Sequence, residues 1–268
     1  MRRIVIGALF LAALTGLYAQ MRSRSSGPRK WAMYEYEMQD PVDDPADASV
    51  PGEFVFGRLR YRSNRDGRGG YARWGIDANK SDRLFLDTLR RLTRVHTQSI
   101  ENIIDIESDE IYDSPFLFAV AASDWRLSPS HAQRLRNFFD RGGFMMVDDF
   151  HGEREWATFM AGIYQIYPDA KVVELGDKEP IFHVLYHLNE RINVPGQNVV
   201  HGPGYEKDGV TPHWRGVMDS QGRVMVAVCF NQDVGDGWEF ADDPDYPEKF
   251  SSMALRLGVN YAIYSLTH

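Results

Sequence analysis

With a single cysteine, Cys229, among 268 residues, the chain can form no intrachain disulfide, so its stability must come from packing and hydrogen bonding. A bilayer-spanning run is also missing: the longest apolar stretch, Ile4 to Leu14, is about a dozen residues where a spanning helix needs roughly 20. Basic charge is scarce. Thirty Lys and Arg against 38 Asp and Glu leave a net charge of -8, which excludes a broad nucleic-acid surface, since that requires clustered cations to displace counterions. No Gly-x-Ser-x-Gly nucleophile elbow occurs. His183 and His187, four apart on an expected helix, lack the intervening Glu of a His-Glu-x-x-His zinc protease.

What is present begins with Arg2-Arg3, the apolar run, and Thr15 to Ala19, in the order of a secretory signal. Cleavage after Ala19 is expected, with residues 1–19 removed, the mature protein periplasmic or extracellular, and no membrane span remaining. The alternative is an uncleaved N-terminal anchor, because Arg22, Arg24, Arg29 and Lys30 follow closely. Residues 20–52 carry Asp40-Pro41, Asp43-Asp44-Pro45 and Pro51-Gly52 without periodicity and read as a flexible linker. Within it, Trp31, Met33, Tyr34, Tyr36 and Met38 could dock as an added strand. Residues 53–268 read as one domain.

That domain alternates short apolar runs with amphipathic helices, which predicts an α/β fold. Strands are expected at 54–61, 116–122, 144–147, 171–175 and 223–230. Helices are expected at 82–95 with Ser81 as N-cap, from Ser128-Pro129 to Gly142-Gly143, at 153–164, and at 248–265. The segment Phe116 to Ala122 has no polar face, as in the centre of a parallel sheet covered on both sides. Residues 231–245 read as a loop. So do 189–223, which hold His201 and His213; such a stretch is either a lid or ordinary surface. The basic segment from Arg58 to Arg73 reads as a solvated edge and loop, or as a contact for an anionic ligand.

The strand-helix-Gly-Gly-strand unit through Arg141 to Asp149 resembles the class I glutamine amidotransferase-like fold. More closely, the chain from about Phe54 to Tyr264 is similar to the bacterial exported family called domain of unknown function 4159. The shared cues are Phe54 to Tyr61, Gly142-Gly143 with Asp148-Asp149, and Asn231-Gln232-Asp233 with Gly235 to Glu239. The resemblance implies a flavodoxin-like three-layer sandwich around a mostly parallel sheet, and brings no established activity. True amidotransferases place a Cys on a tight elbow after a strand. Cys229 instead lies within a strand run, where a buried inert thiol is the expected outcome, so glutamine hydrolysis is the least favoured activity.

Ligands of open parallel sheets bind beyond the carboxyl ends of the strands. Asp124, Asp148, Asp149 and His151, and Asn231, Asp233 and Asp236 follow three of the expected strands there. With His201, His213, Trp238 and Glu239 they form the candidate ligand-binding set. Asp148, Asp149 and Asp233 are candidate ligands for a divalent cation, Ca²⁺ or Mg²⁺, both of which prefer oxygen donors. The competing account is that Asp residues cap the helices and loops that follow. The expected function is a non-catalytic binding or assembly module of the cell envelope, recognising an envelope protein or a glycan. The alternative is a metal-dependent hydrolase acting on a glycan or peptide, with Asp148 or Asp149 as base or ligand.

Overall fold

A computed structural model describes residues 29–63 and 71–268. The expected signal peptide at 1–19, the start of the linker and the middle of the basic segment lie outside the described residues. The chain divides into two units, Met1–Met33 and Tyr34–His268, and the domain belongs to the second. Among the described residues no helix is long and apolar enough to cross a membrane.

Seven strands form one sheet: β1 Phe56–Arg60, β2 Asn102–Asp105, β3 Phe116–Val120, β4 Phe144–Asp148, β5 Lys171–Glu174, β6 His213–Met218 and β7 Val224–Phe230. Their order is β2-β1-β3-β4-β7-β6-β5. The first five in that order run parallel, while β6 is antiparallel to both neighbours. Among the described residues five α-helices accompany them: α1 Lys80–Leu92, α2 Pro129–Asp140, α3 Gly152–Ile166, α4 Val234–Glu239 and α5 Glu248–Thr267. Because parallel crossovers are right-handed, the reversal of direction between β1–α1–β2 and β3–α2–β4 sends α1 to one face and α2 to the other. Alternation along β3 and β4 agrees. Phe116, Phe118, Phe144 and Met146 join Phe85 of α1, Trp238 of α4 and Leu257 of α5 in one hydrophobic core. The alternate residues Leu117, Ala119, Met145 and Val147 are equally buried, as a sheet covered on both faces requires.

Local chemistry sets the boundaries. Ser128 caps α2 by accepting the His131 amide, and the His131 ring accepts from the Ser128 amide in return, with Pro129 at the first helical position. Gly142 stops the helix at φ 95°, a left-handed conformation that costs glycine little. At α1 the expectation fails: Asn79, not Ser81, is the N-cap, and Ser81 lies inside the helix with its hydroxyl accepting from Arg58 at 3.1 Å.

Four other expectations are corrected. Ala32–Glu37 forms a 3-10 turn rather than an added strand; Glu37 within it binds Arg60 and the Trp74 indole. From Tyr34 the lead-in is tied to the domain, since Arg83 donates to the carbonyls of Val42 and Asp43 and pairs with Asp44 at 2.6 Å. Arg58 is no solvated edge residue: it is fully buried in an ion pair with Asp82 at 2.6 Å. The helix expected around His183 and His187 is a three-residue 3-10 turn, Pro180–Phe182, followed by bends. The two rings still meet, Nδ1 to Nδ1 at 3.3 Å, because the chain folds back there.

Candidate functional site

Three parallel strands end in the same way. Ala121 after β3, Asp149 after β4 and Asn231 after β7 have φ of 50°, 53° and 61°, in the left-handed region that non-glycine residues seldom occupy. Each turns its chain out of the sheet at the carboxyl edge, and backbone bonds join the turns: Ala121 N–H donates to Asp148 O, and Asn231 N–H to Phe150 O. Asn231 is a clamp. Its Oδ1 accepts from Gly152 N–H at the start of α3, and its Nδ2 donates to Thr211 O.

The adjacent carboxylates of Asp148 and Asp149 turn to different partners, though the charge of Asp149 still raises the pKa of Asp148. Asp148, wholly buried at the end of β4, accepts the Gly235 amide of α4 on Oδ2 at 2.7 Å, while Oδ1 has no hydrogen-bond partner. Asp149 Oδ1 lies 3.4 Å from Nε2 of the buried His151. Asp233 caps α4 by accepting the Asp236 amide, and Asp236 accepts the Gln197 amide at 2.6 Å. The loop around Pro195 closes over this turn, with Asp233 N–H donating to Val194 O and Tyr246 donating its hydroxyl proton to Pro195 O.

Asp77 is the member that sequence reasoning missed. It precedes α1 in a loop with no motif around it, and only the packing of α1 against α4 brings it to the edge. It is 4% exposed, with φ of 58°, and its Oδ2 has no hydrogen-bond partner. A Cβ placed on Gly235 would come within 2.5 Å of Asp77 Oδ2 and 3.5 Å of Asp148 Oδ2, so the bare glycine backbone separates two buried carboxylates. One oxygen each from Asp77, Asp236 and Glu239 lie within 4.8 Å of one another. This converging trio differs from the expected Asp148, Asp149 and Asp233. Asp148 and Asp233 each commit an oxygen to an amide of α4, as Asp236 does to the Gln197 amide.

Burial raises the carboxyl pKa values at this edge, because a low-dielectric setting disfavours the ionised form. Asp77 is pushed well above the usual range by burial and then by the charges of Asp236, Asp149 and Glu239. Asp148 and Asp233 rise for the same leading reason. Asp236 is pushed up to about 6 by burial, against the Gln197 amide that holds it down, and Glu239 to about 7 by burial and then Asp236. The nearby cations each have a direct partner, Arg58 in Asp82, Lys80 in Asp242 at 3.2 Å and Arg73 in Asp124 at 3.3 Å, yet Arg58 still draws Asp77 down and Lys80 draws Glu239 down, without cancelling the effect of burial.

The remaining candidates lie apart from the trio. Asp124 ends the turn after β3 in its pair with Arg73. His201 is exposed and bonds the Asp245 carbonyl. His213 opens β6, where Nδ1 meets Glu174 and the ring stacks on Phe230. Trp238 is a core residue, stacked on Phe85 at 4.4 Å and donating to Ala254 O. Cys229 is buried next to the carboxyl end of β7, its thiol pKa pushed up by burial and then by Asp148, as fits an unreactive thiol.

The sequence model of Domain of unknown function (DUF4159) matches residues 55–266. The chain belongs to this family. The DUF4159 region spans β1 to α5 and so includes every carboxylate of the acidic edge. A search of curated proteins finds no match.

Proposed function

We propose that this DUF4159 chain is an exported, non-catalytic binding or assembly module of the cell envelope, built on an amidotransferase-like scaffold without the nucleophile. One observation carries the reading. Carboxylates whose charge the nearby Arg58 and Lys80 offset only in part gather at the carboxyl edge of a parallel sheet, where such folds hold ligands, while the single thiol is sealed inside β7. The site therefore favours a cationic ligand, or the cation-bearing part of a larger envelope component, over any substrate needing covalent attack. The strand order of the five parallel strands, of the 2-1-3-4-5 type, supports the flavodoxin-like scaffold.

The test is co-sedimentation of the purified protein with isolated cell envelopes, beside turnover assays on amide, ester and glycoside substrates. The reading expects retention that Asp149→Asn weakens, and no product above the buffer rate. Product formation that the same variant abolishes would overturn it. A second reading, a metal-dependent hydrolase, is favoured by the values for Asp236 and Glu239, which lie where general acid-base catalysts work at neutral pH. It predicts glycan or peptide cleavage with a rate limb between about pH 6 and 7.

A further inference from the structure

We propose that Asp77, Asp236 and Glu239 form a calcium site, which defines the cation that the acidic edge takes; the proposal rests on the reading of that edge as the ligand site. Three carboxylates from two segments far apart in sequence, the loop before α1 and the helix α4, place one oxygen each within 4.8 Å of one another. Proximity of acids alone would be ordinary. What marks this group is that Asp77 is 4% exposed, yet its Oδ2 has no hydrogen-bond donor from the protein. A buried polar oxygen without a partner is destabilising, the more so if charged. Asp148, 0% exposed and approaching the same Gly235 backbone, presents a second unpartnered oxygen, Oδ1. The amides of Gly235 and Asp236 are already taken by Asp148 and Asp233, which leaves the orphaned Asp77 oxygen open to a cation shared with Asp236 and Glu239.

The donor set chooses among cations. It contains oxygen only, without thiolate or imidazole, which disfavours zinc and the softer transition metals and suits Ca²⁺ or Mg²⁺. Tolerance of an irregular sphere chooses between those two. Opposite ligands of Ca²⁺, at about 2.3–2.6 Å, stand about 5 Å apart, whereas those of Mg²⁺, at about 2.0–2.1 Å, stand about 4 Å apart in a rigid octahedron. Three oxygens within 4.8 Å of one another can share either ion. Calcium accepts the irregular arrangement that one loop and one short helix provide.

Purified protein stripped with EDTA and passed into metal-free buffer is titrated with CaCl₂ and, separately, with MgCl₂ by isothermal calorimetry. The expected result is one saturable calcium site per chain, binding at least about tenfold tighter than magnesium. Glu239→Gln and Asp77→Asn should each weaken calcium binding at least about tenfold, with the circular dichroism spectrum kept. If Asp77→Asn fails to fold, Glu239→Gln alone decides. No calcium heat, or equal binding by the Glu239→Gln variant, overturns the site. Co-sedimentation with envelopes, run on the same preparation in EDTA and in calcium, separates this proposal from the reading beneath it. Retention indifferent to EDTA, with no calcium heat, rejects the calcium site and keeps the module. Saturable calcium binding with no retention in either buffer upholds the calcium site and rejects the module.

Discussion

Raising the pH of the metal-free protein from 5 to 8 should destabilise it. Asp236 rises from 3.8 to about 6 and Glu239 from 4.5 to about 7 on folding, so between those values the native state binds protons that the unfolded chain has released. A carboxyl group raised in this way lends its stability below its unfolded pKa and loses it as pH climbs through the folded one. Each pH unit of displacement is worth about 1.4 kcal/mol. The two groups share one electrostatic field, so their effects do not add, and the pair should cost about 3 kcal/mol across this window. Asp77, Asp148 and Asp233 are displaced in the same direction and reinforce the loss. The lowered groups Glu37, Asp47 and Asp219 act on the acid side, where their stability is lost below about pH 4.5, and leave this window alone. Urea unfolding in EDTA buffer reads the effect as a fall in midpoint of about 1 M for an m-value near 3 kcal/mol/M. Asp236→Asn combined with Glu239→Gln should flatten the profile, making the variant more stable than the parent at pH 8. A parent profile that is level or rising from pH 5 to 8 would refute the reasoning.

Other consequences follow from the core. Arg58→Ala strands Asp82 in a fully buried position and should cost about 3–5 kcal/mol by urea unfolding, with Asp82→Asn in the same chain recovering part of it. Trp238→Ala removes the ring stacked on Phe85 and should also cost about 3–5 kcal/mol. Cys229 is buried with its thiol pKa raised, so an aromatic disulfide reagent should label it only at the rate of unfolding; rapid labelling of native protein would show an open thiol instead.

The parallel centre of the fold was legible because β3 and β4 are apolar on both faces and α2 carries its own start and stop in Ser128-Pro129 and Gly142. The missed strands have physical reasons. β2 is four residues with Asn and Asp at its ends, too short to show a period. β6 mixes His213, Trp214 and Arg215 and owes its place to the ladder with β7 rather than to its own pattern. α4 was hidden because Gly235 and Gly237 are poor helix formers; it is held by the Asp233 cap and by Trp238 in the core. At the edge, carboxylates that directly follow strands could be placed from sequence. Asp77 could not, since its position depends on α1 packing against α4. Trp238 and Glu239 are neighbours in sequence, yet one faces the core and the other the acidic group, a division that depends on the rotation of α4.

The most direct measurement of the central claim is a ¹⁵N-¹H correlation spectrum of the EDTA-stripped protein during calcium addition. The account predicts saturable shifts centred on the amides of Asp77, Ala78, Gly235, Asp236 and Glu239, largely absent in the Glu239→Gln variant. An unchanged spectrum, or weak unsaturating shifts spread over exposed acids such as Asp243 and Asp245, would contradict it.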